Sequence, residues 1–168
     1  MMMKMQKMQR SWVLAGLVAL LFVAGMSWSA NLAVAVEAHS LTEPAKSVLV
    51  EYERIQQALA GDSLREVAES ALALADAIRA DGETLPLGAA AEADKLAEAQ
   101  DLRAARRAFK PLSAALIAWL EETNVESSGY QEAYCPMADA NWLQKGEEIE
   151  NPYYGLRMLH CGTIERRF

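Results

Sequence analysis

The chain has 168 residues, 52% of them hydrophobic, with 23 acidic against 16 basic residues and a formal net charge of −7. That balance repels nucleic acid and anionic membranes and gathers cations near the surface. The length suits one domain with its own hydrophobic core.

The first residues decide the expected compartment. Lys4, Lys7 and Arg10 make a positive start, Trp12 to Met26 is apolar, and Ala33-Val34-Ala35 offers a small-x-small cleavage site. Together they read as a secretory signal peptide over residues 1–35, removed on export to the periplasm. The alternative is an uncleaved anchor, but Ser11, Gly16, Gly25 and Ser27 interrupt the run. A spanning helix wants about 20 continuous apolar residues. No cysteine lies near the junction to carry a lipid, so no stable membrane insertion is expected after cleavage. Residues 36–168 would then carry 13 basic and 23 acidic residues, a net charge of −10. They form a single expected helical domain, burying about two-thirds of its unfolded surface.

Thr42 is placed to cap a first helix, with Glu43 and Pro44 in its first turn and Val48, Tyr52, Ile55 and Leu59 on one face. Gly61 ends that run. Asp62 is read as the cap of a second helix bearing Leu64, Val67, Ala71, Leu74 and Ile78, closed by Asp81-Gly82. Thr84 to Gly88 is a loop, and residues 89–99 form a short alanine-rich helix of high propensity. Asp101 caps a fourth run with Leu102, Ala105, Phe109, Leu112, Leu116 and Trp119 on one face, which Pro111 should kink or split. The expected fold is all-α: an antiparallel four-helix bundle over 43–123. From Tyr130 aromatics alternate with Pro136, Gly146, Pro152 and Gly155. This reads as an irregular aromatic-rich segment packed on the bundle, with single helical turns near Ala140–Lys145 and Tyr154–Leu159.

The same segment holds the soft donors. Cys135-Pro136-Met137 and Met158-Leu159-His160-Cys161 contain both cysteines, one of the two histidines, and both methionines outside the leader. Thiolate, thioether and imidazole favour Cu(I) and similar ions over Mg²⁺ or Ca²⁺, and a linear or trigonal Cu(I) site needs only two or three of them. Zinc would want four, adding water or a carboxylate such as Asp139. The plain alternative is a Cys135–Cys161 disulfide, permitted by export, with Met137 and Met158 as gap-filling side chains. His39 is most simply solvated, and Glu147, Glu148 and Glu150 a solvated face. Asn151 to Gly155 is a turn signal that would hold the second cluster in place, and Trp142 belongs to the core. Catalysis is not expected: the chain has no Gly-x-Ser-x-Gly elbow, no phosphate-cradling glycine loop and no Cys-x-x-Cys.

Tyr134-Cys-Pro-Met-Ala138, then Trp142-Leu143, Ile149-x-Asn-Pro-Tyr-Tyr-Gly155 and Met158-Leu-x-Cys-Gly162, resembles the periplasmic helical family catalogued as domain of unknown function 3347. The likeness is dense over residues 130–162 and looser at Tyr52, Ala58-Leu59, Arg107, Phe109 and Ser113. That family occurs alone or as a tail on periplasmic adaptor subunits of heavy-metal efflux pumps. The resemblance implies copper or related metal handling, with Cys135, Met137, Met158 and Cys161 as ligands; His160 falls at a variable position. It implies a stand-alone version, since adaptor domains are not recognisable in the chain. The expectation is therefore a periplasmic protein that binds Cu(I), with zinc or silver as alternatives, and sequesters it or passes it to an envelope efflux complex. The alternative is a metal-free envelope interaction module locked by the disulfide.

Overall fold

The computed structural model of the chain describes residues 41–123 and 128–168. The expected signal peptide and His39 lie outside the described residues. Four helices come first: α1 (Glu43–Ala60), α2 (Val67–Asp81), α3 (Leu87–Ala97) and α4 (Leu102–Thr123). They pack in sequence order, each on the next. Val48, Tyr52, Ile55, Leu59, Leu74, Ile78, Leu96, Phe109, Leu112, Leu116 and Leu120 are buried between them, the positions set by helical periodicity. No helix among the described residues is long and apolar enough to cross a membrane.

The caps obey the sequence in part. Asp101 accepts a hydrogen bond from the Ala104 N–H at 2.7 Å, satisfying one orphan donor of α4. Gly82 ends α2 in the left-handed region, φ +70°, where a side chain would be strained. Thr42 makes no side-chain cap bond, and Asp62 does not cap α2, which starts only at Val67. The Asp62 carboxylate instead takes the Arg106 guanidinium and the Leu156 N–H. A strong tertiary partner replaced the local one. Nor does Pro111 split α4: the helix is continuous through it. Pro111 lies on the exposed side, so the Arg107 carbonyl that its ring leaves unbonded is on a wet face.

The C-terminal third overturns the all-α expectation. It is an antiparallel sheet, β1 (Gln131–Cys135), β2 (Ala140–Gln144) and β3 (Thr163–Arg167), in the order β2-β1-β3. The described residues thus form four helices, a 3₁₀ turn and a three-stranded sheet. The segment Ala140–Lys145, expected as a helical turn, is β2. Its Asn141, Trp142 and Leu143 pair with Tyr134, Ala133 and Glu132. The expected turn near Tyr154–Leu159 does form, as a 3₁₀ turn at Gly155–Arg157. The strands are five residues each, too short for a clear period-two signature. The central strand also draws half its backbone partners from residues some thirty positions away in sequence. The register slips at Glu132–Ala133, leaving Glu165 unmatched on β3, a bulge near the chain's end.

Two polar anchors fix the sheet. Tyr52 of α1 accepts the Leu143 N–H at 3.0 Å and shares a hydrogen bond with Ser113 of α4 at 2.8 Å. It therefore ties two helices to the outer edge of β2, which no strand among the described residues pairs. Its ring stacks on Phe109, centroids 5.0 Å apart. On the other side, Gln144 and Gln131 hold the 146–150 loop: Gln144 donates to the Glu148 carbonyl at 2.8 Å and accepts from the Glu150 N–H, and Gln131 donates to the Gly146 carbonyl. Gln144 is almost fully buried, so these bonds replace water that it cannot reach.

Candidate functional site

The site begins with a hairpin. β1 ends at Cys135 and the chain reverses through Pro136-Met137-Ala138-Asp139 before Ala140 starts β2. Ala138 N–H donates to the Cys135 carbonyl at 3.2 Å, and Asp139 takes φ +47°, a left-handed value that aspartate tolerates in turns. Alternation along β1 puts Cys135 and Ala133 on one face, with Trp142 across from Ala133. Cys135 is fully buried there.

The second arm arrives through Asn151. Its backbone N–H donates to the Leu159 carbonyl at 2.8 Å, and its side-chain nitrogen donates to the Cys161 carbonyl at 2.6 Å. Its side-chain oxygen accepts the N–H groups of Tyr153 and Tyr154. One buried amide thus folds residues 151–161 into a compact loop, the holding role read from the Asn151–Gly155 turn. Gly162 then lets the chain press against the sheet: a Cβ there would meet Trp142 Cη2 at 2.8 Å and the Tyr134 carbonyl at 2.9 Å. Only a residue without a side chain brings Cys161 so near β1.

The outcome is a dithiol. Cys135 Sγ and Cys161 Sγ stand 3.3 Å apart, both free thiols, one buried and one half-buried. Their acidities diverge. Burial opposes ionisation of Cys135, but the Cys161 thiol, the Ala138 N–H, the Asn151 amide and the Met137 N–H outweigh it and hold Cys135 below the ordinary cysteine range. Cys161 is pushed up, first by its hydrogen bond to Cys135, then by burial and by the charge on Cys135. The pair gives up its first proton more readily than a lone cysteine, and the thiolate so formed holds the second thiol protonated. Such a pair ionises once more easily than an isolated thiol and loses its second proton when a cation or oxidant arrives.

The other sequence candidates lie on the segments next to the two cysteines. Met137 lies in the hairpin turn at 61% exposure, its backbone carbonyl held by the Tyr154 hydroxyl. Met158 is half-buried beyond the 3₁₀ turn. His160 is exposed, with Nδ1 2.9 Å from the Ile149 carbonyl and 3.9 Å from Glu148. Asp139 accepts from the Tyr134 hydroxyl at 3.1 Å. Among the described residues no three His, Cys, Asp or Glu side chains gather as a four-donor zinc site requires. Glu147, Glu148 and Glu150 are exposed, as a solvated face would be. The role missed from sequence is that of the Asn151 amide and the Met137 and Ala138 N–H groups, which tune Cys135. The signal was present in the proline-led turn after Cys135, but its meaning needed the strand on each side.

Against known proteins, the chain matches no protein-family model, no curated protein and no solved structure.

Proposed function

We propose that this chain is an exported soft-metal binding protein. In this reading Cys135 and Cys161 hold Cu(I) between them in the periplasm and release it to an envelope efflux system. The observation that carries the proposal is the 3.3 Å approach of two free thiols, one of them already biased toward thiolate. Two soft donors suffice for Cu(I), and Ag⁺ shares that preference, whereas Zn²⁺ needs further ligands from elsewhere. A half-buried Cys161 leaves the pair open to exchange with a partner thiol. The excess of 23 acidic over 16 basic residues favours cation approach. The resemblance of the terminal motif to family 3347 points the same way.

Titration of the reduced full chain with Cu(I) against a chromophoric chelator tests it. One equivalent should bind, and Cys135→Ser or Cys161→Ser should each abolish uptake. Met137→Leu, Met158→Leu and His160→Ala should leave affinity unchanged, because two thiolates suffice for Cu(I). Failure of the reduced protein to compete for copper overturns the proposal. A second reading is favoured by the same sulfur contact: oxidation gives a disulfide-locked envelope interaction module that carries no metal. Thiol counting on protein taken from the periplasm separates the two, since a fully oxidised pair has no lone thiolate for copper.

A further inference from the structure

The chain is acidic, yet five of its 16 Lys and Arg residues face one cleft: Arg103, Arg106, Arg107, Lys110 and Arg157, against the single carboxylate of Asp62. The cleft is open to solvent and offers about 730 Å³ between α4 and the 3₁₀ turn, within the range of small-molecule sites. Positions 103, 106, 107 and 110 share one face of α4 by helical spacing, so their cations form a ladder about 10 Å long. Tyr153, Tyr154, Met137 and Leu102 supply apolar wall.

Three of these cations are held in place. Arg106 donates to the Pro152 carbonyl at 2.8 Å, to the Leu59 carbonyl at 2.9 Å and to Asp62. Lys110 sits 5.6 Å from the Tyr153 ring centre while donating to the Ala138 carbonyl. Arg157 lies 4.9 Å from the Tyr154 ring centre. Asp62 is the sole acid in the cleft, and Arg106 takes its charge. Arg103, Arg107 and Lys110 make no ion pair among the described residues, and neither does Arg157. Clustering like charges costs free energy through mutual repulsion, which among the described residues Asp62 and Asp101 offset only in part. Fixed guanidinium groups recognise oxyanions through paired N–H donors, and positions preset by cation–π contacts lower the ordering cost of binding.

We infer that the Arg103–Arg107–Arg157 cleft binds a small multivalent oxyanion, a polyphosphate or polycarboxylate compound, independently of the Cys135–Cys161 dithiol. Arg103, Arg107 and Arg157 supply the free charge, and the tyrosine wall takes the ligand's less polar part. The site does not rest on the metal reading.

The test is calorimetric titration of the reduced, metal-free full chain with inorganic tripolyphosphate and with citrate, at low and at raised salt. Saturable one-site binding by at least one of them is expected, weakening as salt screens the charges. Arg103→Glu with Arg107→Glu should lower affinity by at least roughly tenfold. Its thermal midpoint should change little, because neither side chain makes a hydrogen bond or ion pair among the described residues and Asp101 feels them only through charge. Lys46→Glu on α1, away from the cleft, should leave affinity as it was. No saturable binding by either anion, or an unchanged affinity in the double variant, overturns the inference. So does saturation by a hexaglutamate peptide with no response to the small anions, which would make the cleft a protein-docking surface.

Discussion

Oxidation of the dithiol should stabilise the fold by an amount set by the loop it closes. Cys135 and Cys161 are 26 residues apart in sequence, and their sulfurs already stand 3.3 Å from one another. Joining them removes the closure entropy of that loop from the unfolded chain, about 3.5 kcal/mol at 25 °C. The native side needs only a small approach of two sulfurs in contact, so strain should take back little. For a unit of this size, residues 35–168, that gain corresponds to a rise in thermal midpoint of about 10 °C. The assay compares the reduced chain with chain treated by excess oxidised glutathione. Each disulfide formed releases two equivalents of reduced glutathione, and mass spectrometry should find a loss of two hydrogens with no adduct. The oxidised monomer should melt higher and take up no Cu(I). An oxidised monomer with an unchanged midpoint, or mixed disulfides and Cys161-linked dimers in place of the internal bond, would refute the placement of the two arms.

Three further outcomes follow from the surrounding structure. Tyr52→Phe leaves the Leu143 N–H on the outer edge of β2 without its acceptor; the expected cost is about 2 kcal/mol by urea unfolding, and Ser113→Ala should cost less because the Leu143 bond survives. Asp62 is held below the usual carboxylate range, first by its hydrogen bond from Arg106. Its stabilisation is therefore present above the unfolded value of about 3.9 and lost as pH falls through the lowered folded value. The stability gap between wild type and Asp62→Asn should be full near neutrality and shrink below about pH 4; a gap undiminished in strong acid would contradict the pairing. Gly162→Ala should destabilise the fold by roughly 2 kcal/mol through overlap with Trp142 and the Tyr134 carbonyl. It should also slow formation of the internal disulfide, measured by thiol loss over time.

How far the sequence reached depended on where each element finds its partners. Helical faces were legible because their signal is local: Val48, Tyr52, Ile55 and Leu59 recur within one element, and all four are buried. Asp101 and Gly82 acted as written because a cap concerns groups within a few residues. Asp62 did not, since Arg106, 44 positions away, competed for the same carboxylate. The sheet was illegible for a related reason. Tyr134-Cys135-Pro136 and Asn141-Trp142-Leu143 look like aromatic loop until Thr163–Arg167 returns to give β1 its second neighbour.

The amino-acid order alone settled that sulfur ligands cluster in the last third and that helices precede them, since composition and periodicity need no third dimension. It offered five donors, Cys135, Met137, Met158, His160 and Cys161, without ranking them. The tertiary structure showed two of them in contact. A hairpin, a buried asparagine and a glycine with no side chain to obstruct it bring the thiols of Cys135 and Cys161 into contact. The arginine ladder on α4 was likewise written in the chain, but it became a cleft only when the 3₁₀ turn, some fifty residues later, folded back beside it. Proximity between distant segments is a property of packing, and no local pattern encodes it.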